Sequence, residues 1–300
     1  MLIKKSGGYE ARDPWVVYSK GYFYHCFTQG AERIFVTKSA TPDGLLTAEP
    51  VLVYEPEQGK EYSKELWAPE LHVIDGKCYI YVACDDGDNN NHRMYVLENG
   101  SDDPQKTYRM HGKISDDTDK WAIDATIMHY KGKMYMVWSG WAGDENVCQD
   151  LYIAQMSDPF TICSKRVKIS TPDKPWEVIG CKGYHPAPFI NEGPAIYQKG
   201  DDVKIFYSGS SSWYTGYCVA FLTLVGEDPL DPKSWEKASK PALDKAEDGL
   251  NGPGHCSVTS DGKTDYIAFH VFDDGETEGW SNVHAEIHPF KVDGEKIILL

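Results

Sequence analysis

Apolar and polar positions alternate along this chain in short runs with a period of two, and the runs come in pairs around a glycine-bearing turn. Five segments share the plan: 13–28 (DPWVVYSKGYFYHCFT), 68–84 (APELHVIDGKCYIYVAC), 124–139 (DATIMHYKGKMYMVWS), 192–209 (EGPAIYQKGDDVKIFYSG) and 254–272 (GHCSVTSDGKTDYIAFHVF). Strict alternation marks a half-buried strand, and a short turn carrying Gly marks a β-hairpin, because Gly accepts the positive φ such turns require. The turn glycines are Gly21, Gly76, Gly132, Gly200 and Gly262. Helical periodicity is nearly absent. Successive segments start 55, 56, 68 and 62 residues apart. Hairpin-centred repeats at that period in a strand-only chain predict an all-β fold, a five-bladed β-propeller, with residues 1–300 forming one closed domain.

The repeats also set a register. Eight residues before each turn glycine stand Asp13, Ala68, Asp124, Glu192 and Gly254. Innermost strands of a propeller line its central channel, so this column is predicted to face one funnel. Three of its members are carboxylates. Like charges gathered at short range resist joint ionisation, and such a cost persists where function uses it. Asp13, Asp124 and Glu192 are therefore the candidate catalytic set.

Charge changes the picture next. Lys and Arg number 30 against 46 Asp and Glu, a net −16. That field repels phosphate backbones and anionic membranes, so neither nucleic acid nor membrane is expected as a partner. A neutral substrate fits. Aromatics make up 13% of the chain, including 9 Trp and 19 Tyr, more than a core alone calls for and suited to stacking on sugar faces. No apolar run reaches membrane-spanning length. The amino terminus, residues 1–8, has no apolar core of signal-peptide length, which predicts a cytoplasmic protein unless a leader has been removed. The 8 cysteines show no Cys-x-x-Cys spacing, and Cys26, Cys78, Cys84 and Cys218 sit within strand-like runs as buried thiols would.

Around the column the residues carry a family pattern. Ala11-Arg12-Asp13-Pro14, Trp67-Ala68-Pro69-Glu70-Leu71-His72, Ala122-Ile123-Asp124, Asn191-Glu192-Gly193-Pro194 and Gly252-Pro253-Gly254-His255 occur in order, one per repeat. The chain resembles glycoside hydrolase family 43, the five-bladed arabinofuranosidases, xylosidases and arabinanases. Asn91-His92-Arg93-Met94-Tyr95 and Trp138-Ser139-Gly140-Trp141 resemble its arabinofuranosidase-like branch.

The resemblance implies hydrolysis of terminal sugars, above all α-L-arabinofuranosyl units, from plant-type oligosaccharides or polysaccharides, with inversion. Asp13 would be the general base, Glu192 the general acid, and Asp124 the residue that tunes the acid. It implies substrate contacts from Trp67, Trp141 and His255. No cofactor is expected to be required, although a structural calcium in the central channel is weighed, with His255 as its ligand. Arg12, beside the base, is expected to point to the opposite strand face. Two departures bear on substrate: Cys256 follows Gly254-His255, and Glu286 stands where the branch would have an arginine. A β-xylosidase of the same family, a retaining fructosidase-like enzyme and a catalytically silent sugar-binding propeller are the alternatives. Oligomeric state is not legible.

Overall fold

A computed structural model describes residues 2–3, 11–180, 189–276, 278–279 and 281–300. Most of the amino-terminal stretch read for a leader lies outside them. Each repeat is the inner antiparallel hairpin of one blade, and the strands of blades three and four are also joined by a short parallel pairing at Cys148–Phe189 and Gln149–Ile190. The chain opens with β1 (Leu2–Ile3). The first blade follows as β2 (Trp15–Ser19), β3 (Tyr22–Gln29), β4 (Arg33–Ser39) and β5 (Val51–Tyr54), paired in that order. The second is β6 (Lys64–Ile74), β7 (Lys77–Asp85), β8 (Arg93–Glu98) and β9 (Arg109–Lys113). The third runs β10 (Ala122–Tyr130), β11 (Lys133–Gly140) and β12 (Cys148–Asp158), with β13 (Thr161–Ile162) and β14 (Val167–Ser170) both on the edge of β12. The fourth is β15 (Phe189–Lys199), β16 (Asp202–Gly209), β17 (Cys218–Leu224) and β18 (Trp235–Lys237). The fifth holds β19 (Gly254–Ser260), β20 (Asp265–Phe272), β21 (Val283–Asp293) and β22 (Lys296–Leu299). No helix among the described residues exceeds four residues.

The innermost strands close a ring: β2 lies against β6, β6 against β10, β10 against β15, β15 against β19, and β19 against β2. This is the five-bladed β-propeller. Strand β1 pairs with β21, so the amino-terminal end of the chain is fastened to the last blade. Apolar side chains fill the seams between neighbouring sheets. Tyr81, Met94, Trp138 and Met156 pack between blades two and three, and Met128, Leu151, Ile205 and Leu222 between three and four. Val16, Phe23, Ala268 and Ile287 join blade five to blade one. Burial of one such side chain contributes roughly 1.5–3 kcal/mol.

A bulge recurs at the same place in the inner strands. In β10 the ladder steps from Ile123–Ser139 to Thr126–Val137, leaving two residues opposite one. The same step follows Trp67 in β6, Glu192 in β15 and Gly254 in β19. The first bulged residue is left-handed every time: Ala68 at φ 43°, Asp124 at 55°, Gly193 at 56° and His255 at 48°, with Asp13 at 52° just before β2. That column differs by one residue from the one counted on the turn glycines. The structural equivalents in blades four and five are Gly193 and His255, not Glu192 and Gly254. The cause lies in the hairpins. In blade four Gly200 is the first of the two turn residues between Lys199 and Asp202, whereas Gly21 is the second of the two between Ser19 and Tyr22. In blade five the loop between Ser260 and Asp265 is four residues long.

Candidate active site

The bulges turn their side chains out of the ladder into the channel mouth. A cavity of about 180 Å³ opens there, lined by Asp13, Asp124, Glu192, Trp67, Trp121 and His255 among others. Left-handed backbone at a non-glycine residue costs on the order of 1–3 kcal/mol and survives where the surroundings enforce it. Asp13, Ala68, Asp124 and His255 all bear that cost within one cavity. The three acids named from the sequence are therefore brought together, from blades one, three and four.

Their environments differ. The Asp13 side chain keeps 22% of its surface exposed, the most of the three. Its Oδ1 is 3.1 Å from His255 Nδ1, and its backbone N–H donates to His270 Nδ1 at 3.2 Å. Asp124 is buried, and its Oδ2 accepts the backbone N–H of Gly193 at 3.0 Å. Burial lifts its carboxyl above the ordinary range; the charge of Asp13 adds to that and His255 opposes it. Glu192 is buried too, and its Oε1 accepts the hydroxyl proton of Tyr217 at 2.9 Å. Burial first, and then the nearby Asp124, raise the Glu192 carboxyl to about 8. An acid that keeps its proton through neutral pH thus shares a cavity with a partly solvated carboxylate. That division of environments is what general acid–base chemistry requires.

His255 bridges the set, with Nδ1 toward Asp13 and Nε2 4.0 Å from Asp124 Oδ1. Burial works against its charge, but Asp13, Asp124 and Glu192 outweigh it and hold the proton more firmly than usual. The sequence weighed His255 as a calcium ligand; its ring nitrogens here face the carboxylates of Asp13 and Asp124. Among the described residues no group of three or more His, Cys, Asp or Glu side chains converges to hold a metal. Calcium takes six to eight oxygens, and the donor set does not suit it.

The aromatic wall also differs in part from expectation. Trp67 lines the cavity, its ring stacked on His92 with centroids 4.0 Å apart and its indole N–H donated to Glu65 Oε2 at 3.0 Å. Trp141 does not line it. It is buried and lies parallel behind Trp121 at 4.7 Å, and it is Trp121 that reaches the cavity. At Gly140 a Cβ would sit 2.9 Å from the Trp121 carbonyl, and the Trp141 N–H donates to that carbonyl at 3.1 Å, so the two backbones run close together beside the stacked rings. Arg12 likewise faces inward rather than away, because the left-handed turn at Asp13 breaks the strand alternation. Its guanidinium donates to the carbonyls of Ser212 at 3.0 Å and Gly279 at 2.9 Å, tying two rim loops together beside Trp213. Glu286 lies away from the cavity, between His284 and His288 at 3.2 and 2.6 Å. Burial acts to raise its carboxyl, yet those two histidines draw it down to about 2.

Sequence reasoning missed Tyr217, His270 and Trp121. Tyr217 precedes β17 in a loop and His270 sits in an apolar strand, so each reads as a core residue. Trp121, three residues before Asp124, carried the one available signal: a tryptophan close ahead of a register position, as Trp67 is to Ala68.

Comparison with known proteins shows the family. The family described as Glycosyl hydrolases family 43 matches residues 8–293. An extracellular exo-α-(1→5)-L-arabinofuranosidase of Streptomyces avermitilis is 34% identical over 86% of this chain and 54% of its own. The enzyme of the same name from Streptomyces chartreusis is 30% identical over 83% of this chain and 76% of its own. The chain thus spans about half the length of the first of these relatives. The crystal structure of an α-L-arabinofuranosidase from Lactobacillus brevis superposes with a TM-score of 0.83 at 31% identity, covering 95% of this chain and 92% of that one. With the family pattern running through all five blades, the chain belongs to the glycosyl hydrolases of family 43.

Proposed function

We propose that this chain is an inverting glycoside hydrolase that removes terminal α-L-arabinofuranosyl units from plant-type oligosaccharides, with residues 1–300 acting as one catalytic unit. One observation carries the reading: Glu192, held protonated up to about 8, shares a cavity with the partly exposed Asp13. In the step that follows, Asp13 takes a proton from water as the water oxygen attacks the anomeric carbon. Glu192 gives its proton to the glycosidic oxygen as that bond breaks. Burial, and then Asp124, raise the Glu192 carboxyl, and His255, whose proton the three acids hold more firmly, offsets the repulsion between Asp13 and Asp124. Both catalytic groups recover their starting charge by proton exchange with solvent.

The cavity supports action at a chain end. About 180 Å³ is smaller than the roughly 300–1,000 Å³ of clefts for drug-sized ligands and suits a single sugar ring. The relatives named for arabinofuranosyl release supply the sugar class. The test is a comparison of 4-nitrophenyl α-L-arabinofuranoside, β-D-xylopyranoside and β-D-galactopyranoside. The arabinofuranoside should have the highest kcat/KM. Hydrolysis of the galactoside with neither pentoside cleaved would overturn the substrate assignment.

A further inference from the structure

Tyr217 is fully buried, belongs to none of the five family motifs, and points its hydroxyl at the acid. Its place is built for it. A Cβ on Gly254 would lie 1.9 Å from the Tyr217 ring, so the ring fills the space that only a glycine at 254 leaves open. On its other side the ring is parallel to His270, with centroids 5.5 Å apart. The backbone N–H of His255 donates to Ser208 Oγ at 2.7 Å, and Ser208 lies beside the Tyr217 hydroxyl. That hydroxyl donates to Glu192 Oε1 at 2.9 Å.

We propose that Tyr217 is a positioning residue for proton transfer. By occupying Oε1 it assigns the transferable proton to Glu192 Oε2, the oxygen left to the cavity. This inference rests on Glu192 being the general acid. When Glu192 Oε2 releases its proton to the glycosidic oxygen and becomes a carboxylate, the Tyr217 bond becomes charge-assisted and strengthens. The tyrosine keeps its own proton throughout, so no further acid or base is needed. The interaction is stronger after transfer than before, which is the condition for lowering a barrier rather than merely binding.

The test is Tyr217→Phe, which removes one oxygen and keeps the ring, measured beside Glu192→Gln. The substrates are an α-1,5-arabino-oligosaccharide, whose leaving group needs protonation, and 4-nitrophenyl α-L-arabinofuranoside, whose leaving group does not. Tyr217→Phe should lower kcat on the oligosaccharide about tenfold or more, and on the aryl substrate by less than about threefold. The hydroxyl favours the charged form of Glu192. Its loss should therefore move the alkaline limb of kcat/KM upward by about one pH unit, the equivalent of one hydrogen bond to a charged group. Ser208→Ala should shift both readouts the same way by less, and it stands in if Tyr217→Phe proves unfolded by circular dichroism. Equal losses on both substrates with an unmoved alkaline limb overturn the proposal, as does no change at all, provided Glu192→Gln shows leaving-group dependence. If Glu192→Gln shows none, the acid assignment falls and the proposal with it.

Discussion

Glu192 and Asp124 are two buried carboxyls with different neighbours, and the proposed division of roles between them rests on that difference. Glu192 has a tyrosine hydroxyl and faces the charge of Asp124, whereas Asp124 has a backbone N–H and the His255 ring nearby. Neutralising Asp124 removes the second-largest influence raising Glu192. Asp124→Asn should therefore lower the Glu192 pKa, moving the alkaline limb of kcat/KM to lower pH, as a pH–rate series would show. The sign is opposite to that for Tyr217→Phe, since one neighbour disfavours the charged acid and the other favours it. Replacing Asp13 or Glu192 by Ala should cut kcat on natural substrates by about two to four orders of magnitude with an unchanged circular dichroism spectrum. At this scale the three acids were legible, because each sits in a short motif at a fixed place in its repeat. Tyr217 and His270 were not. Their partners lie 25 and 257 residues away along the chain, and only the closed ring brings them into contact.

The element that builds the site is the bulge of the inner strand. In blades two to five it displaces one residue into the channel, and in blade one the left-handed Asp13 just before β2 takes that place: an acid in blades one and three, a small residue in two and four, a histidine in five. Glu192 enters the cavity as the residue just before its bulge, paired with Ser208 in the ladder. The hairpins were readable from alternation and glycine. The one-residue offset in blades four and five was not, since it depends on whether the glycine comes first or second in the turn and on a longer loop. Glycine at 254 is a packing requirement. Gly254→Ala should evict the Tyr217 ring, cost about 1–3 kcal/mol of stability from overpacking, and reproduce the leaving-group-dependent loss of Tyr217→Phe. Thermal melts and the two-substrate assay together check it. Away from the site, Ile205→Ala in the seam between blades three and four should cost about 2–5 kcal/mol, while kcat of the folded protein stays unchanged.

For the whole molecule, closure of the ring brings the strands next to Asp13 and Glu192 to one cavity. Strands β2 and β15 are separated by β19 on one side and by β6 and β10 on the other, so Asp13 and Glu192 approach the cavity from different directions. The cysteines among the described residues are free thiols, and hydrophobic seams hold the blades together. An uncharged sugar substrate is compatible with the net charge of −16, and kcat/KM should then change little with salt in the range where the Debye length falls from about 30 to 8 Å. The five-fold repeat made this architecture legible from sequence; the seating of Trp121 before Trp141 was not, because it follows from a close backbone approach at Gly140. The central claim is that Asp13 acts on water and Glu192 on the leaving oxygen. Proton NMR of the first sugar released, recorded before mutarotation, tests it most directly. The account predicts a product with the anomeric configuration opposite to that of the substrate. A product that retains configuration, or a covalent sugar adduct on Asp13, would contradict it.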